Sequence, residues 1–301
     1  MQVTSATAPF GTMLTAMVTP FRADGSMDLD GAAALATHLV DNLSHTGLVI
    51  SGTTGEAPTT ADEEKVELRR AVVGAVGDRA HVVAGVGNND TLHTVEIARQ
   101  AAAAGADALM VVAPYYNRPP QEGVAQHFLT IADSTDLPIL TYDIPKRTGV
   151  AIETETLVRI AEHPRIVANK DAKGDLEAAQ WVIRRTGIPW YSGDDALNLP
   201  LLSIGAVGAV AVAGHFAGDR IDAVRKAFAS GDVAGAIRMN SDLLPVYSGI
   251  FRTAGVILTK AGLNMMGLPA GPVRLPLVNA TAEQMDVLRR DLAAGGVPGF
   301  A

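Results

Sequence analysis

Eight short runs rich in β-branched residues, each followed by a segment long enough for a helix, alternate along most of the chain. No other feature restricts the fold as strongly. The runs are LTAMVTP (14–20), GLVISG (47–52), HVVAGVG (81–87), ALMVVAP (108–114), PILTYDI (138–144), RIVANK (165–170), PWYSG (189–193) and AVGAVAVA (206–213). Between them lie amphipathic patterns such as ADEEKVELRRAVVGAVG (61–77) and HTVEIARQAAAAGA (93–106). Parallel strands need a crossover of about a dozen residues or more, and a spacing of roughly 25–35 residues supplies one. Eight such units predict an α/β protein built as a closed (β/α)8 TIM barrel. A doubly wound open sheet is the alternative, because periodicity does not count sheet edges.

The alternation then stops. SGDVAGAIRMNSDLLPVYSGIF (230–251), RTAGVILTKAGLNMMG (252–267) and TAEQMDVLRRDLAA (281–294) read as helices with no strand between them. Thr281 with Glu283 and Gln284 gives the last a capping-box start. The expected organisation is a catalytic barrel over residues 1–230 and a C-terminal helical extension over 231–301.

Composition narrows the function classes. An apolar fraction of 48% with 19% charged residues fits a packed globular chain. A net charge of −8 argues against a nucleic-acid surface, which needs a basic stripe. With no cysteine, disulfides, thiolate metal sites and cysteine nucleophiles are excluded. The seven histidines form no HxxxH or HxH pair, so no metal is expected. The N-terminal MQVTSATAPFGTMLTAMVTPF has no basic region before its apolar stretch, which runs into Pro20, so it reads as a first strand rather than a signal peptide. No apolar run reaches bilayer length. A cytoplasmic small-molecule enzyme is the expectation.

In such a barrel the chemistry belongs at the C-terminal ends of the strands. Here those ends read SGTTGE, APYYNRP, YDIPKR, NKD and SGDD, polar groups that would share one mouth. Lys170 closes the sixth run, although lysine supplies only six of the 24 basic residues. Desolvation there would lower its pKa toward a free amine able to form an imine with a ketone. The ordinary alternative is a lysine reaching out to pair with Asp171 or Asp143. Tyr142 ends the fifth run and could relay protons, or be a core tyrosine with a satisfied hydroxyl. Thr53 and Thr54, between Gly52 and Gly55, suit a carboxylate, or could simply cap the next helix. Arg147 could grip a second carboxylate, or form a surface ion pair. Tyr115 and Tyr116 would point to opposite faces if extended, so at most one should reach the site. Together these residues call for a keto acid as first substrate.

GTTGE (52–56), PYYNRP (114–119), YDIPKRTG (142–149), Lys170, SGDD (192–195) and the G-x-x-G at 205–208 resemble the dihydrodipicolinate synthase family, in its order and spacing and across essentially the whole chain. The wider group of pyruvate-dependent class I aldolases, N-acetylneuraminate lyase included, shares the G-x-x-GE loop, the Tyr-x-x-Pro turn and the lysine. Arg147 resembles the synthase branch specifically. The resemblance implies that Lys170 forms the Schiff base with pyruvate, and that Thr54 and the Val210 main chain hold pyruvate's carboxylate and neighbouring groups. It implies proton transfer by Tyr142 in a relay with Thr53 and with Tyr116 from an adjacent subunit. Arg147 would receive the carboxylate of L-aspartate-4-semialdehyde, with Gly193 and Asp194 beside it. It further implies no cofactor beyond the covalent imine, and a homotetramer or homodimer.

The chain departs from the family pattern at Ala57, Asn169 and Val210-Ala211. By strand alternation Asn169 should face the helices rather than Lys170. Relatives inhibited by lysine carry histidines and a glutamate near the positions of Asp62, Lys65 and His93; Asn89 and Tyr115 do match, and feedback is expected to be weak or absent. Two alternatives stand beside this reading. One is an aldolase acting on sialic acid or a 2-keto-3-deoxy sugar acid, against which Arg147 argues. The other is a non-catalytic barrel binding a keto acid, or a phosphate at Gly205, Gly208 and Gly214.

Overall fold

The computed structural model describes residues 7–300. The reading of the N-terminus rests partly on residues 1–6, which lie outside the described residues. Eight parallel strands close into a barrel in chain order: β1 (Met13–Ala16), β2 (Gly47–Ile50), β3 (His81–Gly85), β4 (Ala108–Val112), β5 (Ile139–Asp143), β6 (Ile166–Asp171), β7 (Trp190–Ser192) and β8 (Gly208–Ala211). Closure comes from β1 pairing with both β2 and β8. The open-sheet alternative is thereby excluded.

Around the barrel run α1 (Leu29–Leu43), α2 (Asp62–Val76), α3 (Thr91–Ala103), α4 (Gln121–Asp133), α5 (Pro145–Thr148), α6 (Thr154–Ile160), α7 (Leu176–Thr186), α8 (Asn198–Ser203) and α9 (Gly214–Ala229). Three more helices, α10 (Val233–Gly249), α11 (Gly255–Met265) and α12 (Ala282–Ala294), follow without intervening strands. The capping box of α12 forms as expected: Gln284 N–H donates to Thr281 Oγ1 at 3.2 Å, and Thr281 N–H to Gln284 Oε1 at 2.9 Å. Helix α3 starts two residues earlier than its apolar pattern suggests, because Asp90 accepts from the N–H groups of Leu92 and His93.

All the strands but β6 are shorter than their apolar runs. The β8 run contributes only Gly208–Ala211 to the sheet, because Asp195 takes the N–H groups of Val212 and Ala213 at 3.1 and 2.8 Å. Each strand is buried on both faces, since one side meets the barrel interior and the other the helices. Leu14, Val49, Val83, Met110, Leu140 and Tyr191 fill the interior. Register sets Tyr142 opposite Lys170, and Lys170 opposite Tyr191, so all three share the inner face. Asn169 faces outward as expected, accepting a hydrogen bond from Thr141 Oγ1 at 2.8 Å, and it is fully buried. The C-terminal helices are continuous with the β1–α1–α2 side in one buried core, which includes Leu35, Val72, Leu243, Leu263 and Leu292.

Candidate active site

Lys170 lies at the C-terminal end of β6 and is 3% exposed. Its Nζ sits 4.1 Å from the centroid of the Tyr142 ring. Burial pulls its pKa down to about 7, with the charge of Asp195 acting the other way. Neither carboxylate considered as an ordinary partner takes it. Asp143 pairs with Lys173 at 3.5 Å, while Asp171 accepts from the N–H groups of Lys173 and Gly174 and from Trp190 Nε1. The neighbouring strand accommodates the lysine stem through Gly193: a Cβ there would lie 2.9 Å from Lys170 Cε and 3.0 Å from its Cγ. What remains is an amine without an ion-pair partner among the described residues, half deprotonated near neutrality. That is the state a carbonyl-attacking nucleophile requires.

Tyr142 is 4% exposed. Burial pushes its phenol up to about 12, opposed by the Arg147 guanidinium and the Thr53 hydroxyl. It stays protonated at working pH and can donate to a developing oxyanion. The Gly52–Glu56 turn supplies further donors. Ser51 and Glu56 are held in left-handed backbone at φ 54° and 56°, and Glu56 N–H closes the turn on Thr53 O at 3.2 Å. The N–H groups of Thr53, Thr54 and Gly55 donate to no acceptor among the described residues. Helix capping does not explain the threonines, because the cap of α2 is Ala61, whose N–H is taken by Glu64. Three N–H groups without an acceptor among the described residues and two hydroxyls on one turn are donors of the kind a carboxylate needs.

A cavity of about 650 Å³ opens beside this turn, lined by Thr53, Tyr115, Tyr116, Tyr142 and Arg147 among others. A second, of about 210 Å³, is lined by Thr53, Thr54 and Arg147 together with Phe251 and Leu277 from the C-terminal segment. Arg147 and Thr53 therefore border both. Arg147 sits on α5, a single turn started by Pro145 and ended by left-handed Gly149, and it forms no ion pair among the described residues. The exclusion expected for the tyrosine pair does not hold. Both tyrosines line the large cavity, because Tyr116 adopts φ 75° rather than extended backbone. Tyr116 is 88% exposed.

Not every expected residue reaches the cavities. Lys170, against the Tyr142 ring, lines neither cavity, and Val210 is fully buried in β8, where it pairs with Leu14. Gly193 abuts Lys170, whereas the Asp194 carboxylate accepts from Ala196 N–H at 3.2 Å and begins a short 3-10 turn. The phosphate reading of the glycines fails on position. Gly205 and Gly208 come before or at the start of β8 rather than in the loop after it, and a Cβ on Gly208 would lie 2.2 Å from Thr12 O. Gly214 is packed instead against Thr15 and His45.

One residue had no role assigned from the sequence. Asp195 is buried, clamps the end of β8 and opposes the loss of charge on Lys170. Burial raises its own carboxyl to about 6. Its place in SGDD was visible, but nothing in the chain signals which of two adjacent aspartates turns inward.

A desolvated lysine beside a buried phenol inside a (β/α)8 barrel is an arrangement suited to an imine-forming lyase. The comparisons with known proteins agree. Residues 9–295 match the Dihydrodipicolinate synthetase family, and the chain belongs to it. It is 61% identical over 289 residues, 96% of each chain, to 4-hydroxy-tetrahydrodipicolinate synthase 2 of Streptomyces coelicolor. Among solved structures it resembles a lysine-bound DHDPS from Cyanidioschyzon merolae, with TM-score 0.93 and 41% identity, covering 95% of this chain and 98% of that one. It also resembles a chloride-inhibited dihydrodipicolinate synthase from Acinetobacter baumannii complexed with pyruvate, with TM-score 0.92 and 33% identity, covering 96% and 99%. The chain is an enzyme of the Schiff-base-forming class I aldolase type, and the chemistry of its family uses no cofactor.

Proposed function

We propose that this enzyme condenses pyruvate with L-aspartate-4-semialdehyde to give 4-hydroxy-tetrahydrodipicolinate, with Lys170 as its nucleophile. The observation that carries the residue assignment is the buried Lys170 amine, unpaired among the described residues, against the Tyr142 ring. The amine adds to the C2 carbonyl of pyruvate, and loss of water gives the imine. A proton leaves the methyl carbon, and the resulting enamine attacks the aldehyde of the second substrate. The amino group of that substrate then displaces Lys170 from the imine carbon, closing the ring and freeing the enzyme. Tyr142, with Thr53 and Tyr116 beside it, moves the protons; Thr54, the free N–H groups of its turn and the Val210 main chain hold the pyruvate end. Arg147 receives the carboxylate of the semialdehyde, with Gly193 and Asp194 nearby. Tyr116 would come from an adjacent subunit of a homodimer or homotetramer, and the cytoplasm is the proposed compartment.

Turnover of the two named substrates against cleavage of N-acetylneuraminate tests the branch. Condensation should dominate, and faster neuraminate cleavage would move the protein to the other branch.

The pH dependence follows from the state of Lys170. Only the free amine attacks, and the reactive fraction falls as pH drops below its pKa of about 7. The rate of imine formation with pyruvate alone should therefore rise with pH through an apparent pKa near 7. A limb near the ordinary lysine value would show that Lys170 is not desolvated in solution.

Inhibition by lysine should be weak. The far wall of the large cavity carries Asp62, paired with His93 Nε2 at 2.6 Å and Lys65 Nζ at 3.1 Å. The one carboxylate there already has partners, and Lys65 repels an incoming ammonium. Half-inhibition by sub-millimolar lysine would contradict this.

A further inference from the structure

Glu56 ties the Gly52–Glu56 turn to the C-terminal segment. It follows Thr53, Thr54 and Gly55 directly, holds φ 56°, and its carboxylate is buried. Both oxygens are engaged by the C-terminal segment: Lys260 Nζ of α11 approaches Oε1 to 2.6 Å, and Arg274 N–H donates to Oε2 at 2.8 Å. The Lys260 and Glu56 side chains are each 1% exposed, and Lys260 also donates to Pro272 O at 2.7 Å. Phe21, in the loop after β1, receives Lys260 Nζ and Arg274 Cζ each at 4.1 Å from its ring centroid. The segment between them is tightly fixed. Gly271 is left-handed at φ 66°, a Cβ on it would meet Phe21 O at 1.7 Å, and Asn264 bonds both its N–H and its carbonyl.

A buried ion pair is a poor stabiliser compared with apolar packing of the same volume, because two charges must be desolvated. What such a pair does well is fix the register of the segments that carry it. Here one segment is the turn with the three free N–H groups, and the other comes from the helices beyond the barrel. A non-glycine residue at positive φ is strained, and it persists where its surroundings hold it. The Arg274 guanidinium adds a second fastening, to Thr59 O at 2.9 Å and to Glu64. The Gly55 carbonyl is separately held by Thr19 Oγ1 at 2.7 Å.

We infer that Glu56, gripped by Lys260 and the Arg274 backbone, is a positioning residue that holds the Thr53–Thr54 turn in its anion-binding shape, so that the C-terminal helices set the affinity for pyruvate. The inference rests on the assignment of that turn to pyruvate's carboxylate. It differs from a stability role in what it moves.

The test is the double variant Glu56→Gln/Lys260→Met, which removes both buried charges together and leaves neither uncompensated. Its KM for pyruvate should rise about tenfold or more, with the KM for the semialdehyde within about twofold of the parent. Arg274→Met, whose guanidinium is partly exposed, should move the same constant in the same direction, and it carries the test if the buried double variant does not fold. A pyruvate KM within twofold of the parent, with only a lowered Tm, overturns the inference. Thr54→Val serves as the control. If it raises the pyruvate KM while Glu56→Gln/Lys260→Met and Arg274→Met do not, the inference alone falls. If it too leaves that constant unchanged, the assignment of the turn falls with it.

Discussion

Lys170→Ala is expected to lower kcat/KM by at least about 10⁴-fold, the scale on which removal of a covalent nucleophile acts when the rest of the site stays intact. The loss should be this large because no other amine can substitute. Lys173 is held by Asp143 at 3.5 Å and reaches toward Ile152 O, while Lys146 is exposed on α5. Neither sits against Tyr142. Lys170→Arg should not restore activity, because a guanidinium stays charged and does not form the imine. The fold should tolerate the alanine variant, since the side chain removed makes no ion pair within the described residues. Circular dichroism alongside the kinetics separates lost chemistry from lost structure. Residual turnover above about one per cent would mean the imine forms elsewhere.

Arg147→Ala is expected to lower turnover with L-aspartate-4-semialdehyde by on the order of 10²–10³-fold while leaving pyruvate trapping intact. Pyruvate is held by its bond to Lys170 and by the Thr54 turn, and neither needs the guanidinium. The second substrate brings its own carboxylate to the mouth. In the free chain Arg147 is exposed, where an ion pair would be screened and worth little. Bound substrate would desolvate it, and a charged bidentate contact then contributes roughly 2–5 kcal/mol, counting the cost of leaving one partner unpaired. Arg147→Lys should recover only part of the rate, because an ammonium lacks the planar fork. Single-substrate trapping and two-substrate turnover, measured on the same variant, check this directly. Lost trapping would place Arg147 on pyruvate instead.

The sequence carried the barrel because parallel strands buried on both faces need apolar runs, and their crossovers impose a spacing; all eight runs became strands. The short α5 was invisible as a helix, since one turn of PKRT has no periodicity to read, yet it presents Arg147 to both cavities. The tyrosine pair escapes the alternation rule for a related reason. Alternation assumes extended backbone, and the left-handed Tyr116 breaks it. Lys260 carries a signal legible in the chain. It stands within the apolar GVILTKAGL much as Lys170 stands within RIVANK, and both prove to be buried. Its partner Glu56 is far along the chain, and only the closed fold brings the two together.

The most direct measurement is borohydride reduction in the presence of pyruvate, followed by peptide mass mapping. A reduced imine is a stable carboxyethyl adduct on one lysine. The expected adduct lies on the peptide containing Lys170, forms without the second substrate, and is absent from Lys170→Ala. An adduct on Lys173 or Lys146, or no adduct under conditions where the enzyme turns over, would contradict the assignment of Lys170 as the nucleophile.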